Sequence, residues 1–184
     1  MTTYHHGNLR EALVEAAIES IEEGEELSMR AVARRAGVST AAPYRHFADR
    51  TALDSAVAVE GFHDMGAELR AVVEEDGPDV VADLAVAYVF FALRRPAVFR
   101  LMFGNECDPE NADRVQASTA LHDLLAGVAA RLYPSSNADA LSTALWSMAH
   151  GLAFLHLDGK FRPHPESDVE NRVRTTFAVV TAAL

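Results

Sequence analysis

Cysteine is almost absent from this 184-residue chain: Cys107 stands alone, so no internal disulfide forms and no thiolate metal cluster can be built. Aromatic residues are sparse at 8 %. No basic stretch followed by an apolar one opens the chain, which gives no sign of a secretion signal. The longest apolar run, Leu84 to Leu93, is too short to span a bilayer, so no membrane partner is expected. Sustained alternation of apolar and polar residues is missing too, and with it the pattern of half-buried strands. Positive charge is the scarcer sign. Lys and Arg number 16 against 27 Asp and Glu, a formal net charge of −11. What is plentiful is apolar residue, 49 % of the chain, enough to bury a substantial core. These features together predict a cytoplasmic, all-α protein.

The acidic total argues against a polyanionic partner until its distribution is read. Between Ser28 and Arg50 the charged residues are Arg30, Arg34, Arg35, Arg45 and Arg50 against Asp49 alone. Acid lies mostly in Glu11 to Glu26, Glu74 to Asp83 and Asp108 to Asp113. Within a Debye length of DNA the local basic face decides the interaction.

Apolar spacing and stop signals divide the chain into about nine helices. Asn8 with Glu11 fits a capping box, and Leu9, Leu13, Ala16, Ala17 and Ile21 trace a face that stops at Gly24. Ser28 caps a short helix turning Met29, Val32, Ala33 and Ala36 inward and Arg30, Arg34 and Arg35 outward. Gly37 ends it. A third helix starts at Ser39 or Thr40 and runs through Phe47. Pro43 is harmless there if Thr40 is the cap and costs one backbone hydrogen bond if Ser39 is. Further helices are expected from about Arg50 to Glu75, stopping at Gly77-Pro78, from Asp79 to Arg94, and from Ala97 to Phe103 after the Arg95-Pro96 break. After a loop at 104–111, a heptad-like run Ala117, Leu121, Leu125, Val128 and Leu132 leads to the Pro134 turn. Ala138 to Leu157 and about Glu166 to Leu184 follow.

Two short helices joined by a turn of about three residues, with Gly in the turn and a small residue where they meet, form a helix-turn-helix. Ser28 to Phe47 meets that recipe: Ala33 permits close approach, Gly37 supplies left-handed backbone, and Val38 plugs the angle. The segment Leu27-Ser-Met-Arg-Ala-Val-Ala-Arg-Arg-Ala-Gly-Val-Ser39, then Tyr44-Arg-His-Phe47 and Arg50-Thr-Ala-Leu53, resembles the DNA-binding signature of the TetR/AcrR regulators. Phe99-Arg-Leu-Met-Phe103 and Trp146-Ser-Met-Ala-His-Gly151 resemble a subgroup with a Trp-x-x-x-His-Gly motif in its C-terminal domain.

The resemblance implies a DNA-binding head at 1–49 and an effector-binding and dimerisation domain at 50–184. It implies a homodimer acting as a transcriptional regulator, a repressor by expectation, on a palindromic operator in double-stranded DNA. Ser39, Thr40, Ala41 and Ala42 would face base edges, and Tyr44, His46 and Arg50 would hold phosphates. Ser28 and Arg30 would anchor the other strand, and Arg45 would reach either a phosphate or a guanine and is the best candidate for bidentate readout. Ala41 and Pro43 depart from the family pattern, where Gly and Leu or Ile are common. Alanines in the reading positions shift discrimination toward thymine methyls, Arg45 and DNA shape.

Phe91, Phe99, Met102, Phe103, Leu121, Trp146, His150 and Phe154 are candidates to line a pocket for a small hydrophobic effector, or equally to fill a core. Leu141, Leu145, Val173, Phe177 and Val180 are candidates for the dimer interface, the alternative being helices packed only on their own domain. His5-His6 reads as an exposed arm, because adjacent histidines cannot face one ion. His122, His156, Asp158 and His164 form no ligand set, so no metal and no cofactor are expected. Cys107, between Glu106 and Asp108, is a poor redox sensor. Without a nucleophile-base pair or a Gly-rich phosphate loop, an enzyme using His150 with Asp158 or Glu106 is disfavoured. A protein-interaction module with a degenerate helix-turn-helix is the remaining rival, suggested by the acidic total charge, Ala41 and Pro43.

Overall fold

The structure, a computed structural model, describes residues 9–75, 77, 79–104 and 111–182. The His5-His6 arm, the Asn8 cap, the Pro78 breaker, the Glu106-Cys107-Asp108 loop and Leu184 lie outside the described residues. Every regular element among the described residues is helical. In order these are α1 (Leu9–Glu22), α2 (Met29–Arg35), a 3₁₀ turn (Pro43–Arg45), α3 (Arg50–Glu75), α4 (Val80–Arg94), α5 (Pro96–Gly104), α6 (Ala112–Leu132), α7 (Ala138–Leu157) and α8 (Glu166–Thr181). Nine helical segments are therefore present among the described residues, but the third is a 3₁₀ turn and not the α-helix expected through Phe47. Pro43 explains the difference: it has no N–H to give the Ser39 carbonyl, and the turn closes instead with Arg45 N–H on Ala42 at 3.1 Å and His46 N–H on Pro43 at 2.9 Å.

Local chemistry sets most boundaries. Ser28 is extended and its hydroxyl accepts from the Ala31 N–H at 3.2 Å, capping α2. At the other end Gly37 takes φ +70°, which lets Val38 N–H reach the Ala33 carbonyl at 2.9 Å and Gly37 N–H reach Arg34 at 3.1 Å. That pair of bonds is a Schellman stop. Asp49, Asn111 and Asn137 accept from the N–H groups of Ala52, Arg114 and Ala140, starting α3, α6 and α7. Pro96, at the first position of α5, separates it from α4.

The chain folds as two compact units, Met1–Gly61 with Ala97–Val115, and Phe62–Pro96 with Gln116–Leu184. In the first, Leu13, Ala17, Leu27, Met29, Val32, Phe47, Leu53 and Val57 form a core that Leu101 of α5 packs against. Arg10 lies over the Phe47 ring, 5.5 Å from its centroid. In the second, α4 packs chiefly on α7 and α8. Phe91, Val169, Val173 and Phe177 are fully buried there, and each such side chain is worth about 1.5–3 kcal/mol relative to exposure.

The apolar face Val169, Val173 and Phe177 of α8 is thus spent inside the protomer. Val173 and Phe177 are at most 2 % exposed and Leu141 is 8 % exposed, so these three expected interface residues belong to the protomer's own core. Leu145 and Val180 are half-buried. No helix among the described residues is long and apolar enough to cross a membrane.

Candidate nucleic-acid interface

α2 and the 3₁₀ turn are in contact, and together with the loop that joins them they carry most of the expected DNA residues. Arg30, Ser39, Thr40, Ala41, Tyr44, Arg45, His46 and Arg50 are exposed, and Ser28 is half-buried. Tyr44 is 56 % exposed, unusual for an aromatic ring in a well-packed unit. Ala42 departs from the expectation: it is buried at 9 %, just ahead of the buried Pro43, and is turned away from the exposed face.

The five arginines of this stretch are not equivalent. Arg35 is surrounded by acid, pairing with Glu23, with Glu25 at 3.2 Å and with Glu19 at 3.5 Å. Its hydrogen bond to Glu23 lowers that carboxyl below its usual value and raises the guanidinium further. Arg35 therefore staples α2 to the end of α1. Arg30, Arg34 and Arg45 form no ion pair among the described residues, and Arg50 has one, to Asp54 at 3.6 Å. Arg34 joins the candidate set, and the sequence signal for it is its spacing of four from Arg30 on one helix face.

The second unit holds a small apolar cavity, of about 40 Å³, lined by Leu69, Leu84, Tyr88, Leu125, Trp146 and Phe177 among others. Trp146 was expected there. Phe91, Phe99, Met102 and Leu121 are instead buried, and Phe99 packs with its ring tilted against Phe103, centroids 4.9 Å apart, within the first unit. His150 and Phe154 pair at 4.9 Å on α7. Tyr88 is the residue that sequence reasoning missed. Its hydroxyl accepts from Trp146 Nε1 at 3.1 Å and faces Nδ1 of His150 at 2.8 Å. The hydroxyl thus joins the indole of Trp146 to the imidazole of His150. Burial pushes the Tyr88 phenol up and the His150 imidazole down, so both are neutral. A tyrosine in so apolar a helix as α4 needs a buried hydrogen-bond partner, and that need is the signal that could have found it.

A helix-turn-helix with exposed arginines, in a chain otherwise wholly helical where described, defines the class: a helical DNA-binding regulator. Residues 13–57 match the family of bacterial regulatory proteins of the tetR type, and residues 81–180 match the tetracyclin repressor-like C-terminal domain. The chain belongs to the TetR family of transcriptional regulators. It is similar to a protein of unknown function from Rhodococcus sp. RHA1, 34 % identical over 96 % of this chain and 97 % of that one, with a TM-score of 0.81. A TetR transcriptional regulator from the same organism is 25 % identical, covering 93 % and 94 %, at a TM-score of 0.63. NalD, the secondary repressor of the MexAB-OprM multidrug efflux pump in Pseudomonas aeruginosa, shares the fold at 20 % identity, 91 % and 94 % coverage and a TM-score of 0.60. No curated protein matches the sequence.

Proposed function

We propose that this chain is a ligand-responsive repressor that binds a palindromic operator as a homodimer, acting by binding and not by catalysis. The observation that carries the reading is the set of exposed cations Arg30, Arg34 and Arg45, without an ion pair among the described residues, on the helix-turn-helix of a chain with net charge −11. Residues 1–49 serve as the head and 50–184 as the sensing and dimerising part. Ser39, Thr40 and Ala41 face base edges, Arg45 reads guanine, and Tyr44, His46, Arg50, Ser28 and Arg30 hold phosphates. Two heads related by a two-fold axis sit in successive major grooves about 34 to 36 Å apart.

The dimer forms through the exposed face of α7, Ala144, Ser147, Gly151 and Leu155, with Val179 of α8, which is 72 % exposed. The Trp146 to Gly151 segment supports membership of the Trp-x-x-x-His-Gly subgroup. The effector is small and uncharged, because the Tyr88 hydroxyl is committed on both sides and the rest of the cavity lining is almost wholly apolar. A cavity of this size must widen to admit it. Ligand binding favours a conformer whose heads no longer match the groove spacing, so ligand and DNA weaken each other by linkage.

The test is selection from a random duplex pool with the purified protein at a stated moderate salt. Enrichment of a palindrome with half-sites one helical turn apart is expected. Absence of any enriched motif, even at low salt, would overturn the reading in favour of a protein-interaction module.

A further inference from the structure

Leu9 and Arg10 open α1 and part ways: Leu9 packs against the core of the first unit, whereas Arg10 is exposed. The exposed guanidinium nevertheless has a fixed seat. Its Cζ lies over the Phe47 ring, 5.5 Å from the centroid, and Phe47 itself is only 3 % exposed. Phe47 is tied to the 3₁₀ turn by its N–H, which bonds the Pro43 carbonyl at 2.9 Å, and its neighbour His46 is exposed. The ring thus brings a cation of α1 to the end of the turn that carries Tyr44, Arg45 and His46. An aromatic face attracts the charge but leaves guanidinium N–H donors without an oxygen acceptor. Among the described residues no carboxylate pairs with Arg10. A cation in the first turn also opposes the dipole of its own helix, so the helix gains nothing from this charge. Arg35 of the same unit is the contrast, since three glutamates answer it.

We propose that Arg10 is a further DNA-binding residue: seated on Phe47 beside His46, its guanidinium takes a backbone phosphate of the strand that Tyr44 and His46 hold. The inference rests on the reading of the helix-turn-helix as a DNA-binding head, and it adds the start of α1 to that surface. The seat matters because a guanidinium already confined over a ring loses less freedom when it closes on a phosphate. Its donors then find the charged oxygens that the chain does not provide. A phosphate contact carries no base information, so Arg10 strengthens binding to all duplexes alike.

The experiment is fluorescence anisotropy with the full chain and a labelled random-sequence duplex of about 30 base pairs, across a salt series. Arg10→Met keeps an apolar stem over Phe47 and removes the charge. It is compared with Arg30→Met and with the double variant, and each is melted thermally. Arg10→Met is expected to weaken binding about three- to tenfold at the lower salt and to reduce the salt slope by about one, with the melting temperature unchanged. Arg30→Met should do the same, and the double variant should lose about two from the slope, as two independent phosphate contacts require. An unchanged slope in Arg10→Met overturns the proposal, whatever happens to the affinity, and leaves Arg10 as a cover for Phe47. So does a lost slope accompanied by a lowered melting temperature that Arg10→Lys fails to restore. If Arg30→Met lowers the slope and Arg10→Met does not, this assignment alone fails. A wild-type chain that holds no duplex at low salt overturns the DNA-binding reading itself, and this assignment with it.

Discussion

The Tyr88 hydroxyl on α4 lies 2.8 Å from Nδ1 of His150 on α7, which ties the half-buried imidazole to a residue that lines the cavity. Both partners sit in the second unit, and Trp146 completes the chain of bonds from the other side.

Tyr88→Phe deletes the acceptor of a half-buried indole N–H and the partner of His150 Nδ1. A loss of about 1–3 kcal/mol in urea unfolding is expected, because an orphaned buried donor costs more than the bond itself contributes. An unchanged midpoint would show that the hydroxyl is replaced by solvent at no cost.

Burial depresses the His150 imidazole, and burial with the Arg172 charge depresses His156. The unfolded chain takes up these protons at the ordinary value of 6.5, whereas the folded chain resists them to lower pH. The corresponding stability is complete above that value and is lost as pH falls below it toward the folded values. Melting temperatures from about pH 8 to 5 should decline through this window, and His150→Phe should flatten the decline. A profile identical in the variant removes His150 from the account.

Two glycines of the first unit are required for different reasons, and alanine at each separates them. Gly37 has open space around the missing Cβ but φ +70°, so Gly37→Ala costs backbone strain, about 1–2 kcal/mol. Gly61 has no such φ, yet its Cβ would meet Met102 and Val98, so Gly61→Ala costs about 1–3 kcal/mol by overpacking. Shaving Met102 to Ala should relieve the second variant and leave the first untouched. Relief of both by that change would mean that the Gly37 cost is not local.

Pro43→Leu restores an N–H that can reach the Ser39 carbonyl, and the 3₁₀ turn should tighten into α-helix. The two helices differ by about 20° of rotation per residue, so Tyr44 and Arg45 swing relative to Ser39. Repeating the duplex selection with this variant should change the bases preferred within each half-site and keep the half-site spacing. Identical preferences would show that the turn geometry does not bear on readout.

What was legible in the sequence was local. Ser28, Gly37 and the Arg95-Pro96 break act on their immediate neighbours, and each does in the structure what its chemistry dictates. Pro43 left two readings open, because the cost of a proline depends on the cap before it. The apolar stripe of α8 was visible as a stripe, but periodicity cannot say what covers it, and α4 and α7 cover Val173 and Phe177 within the same chain. The cavity is harder still. It is what remains after side chains from α3, α4, α6, α7 and α8 have packed, and Tyr88 acquires its place only through residues 58 and 62 positions away. The captivity of Arg35 was hidden for the same reason: its acids lie on α1 and the loop after it.

Glu19, Glu23 and Glu25 stand around Arg35 much as phosphate oxygens would, so the head carries an internal imitation of its own target. A protein that answers one of its cations from within grips arbitrary duplex less firmly than its arginine count suggests. Under the proposed function, shorter stays on arbitrary duplex are the expected outcome, with more of the residence time falling where base edges, and not charge alone, hold the chain.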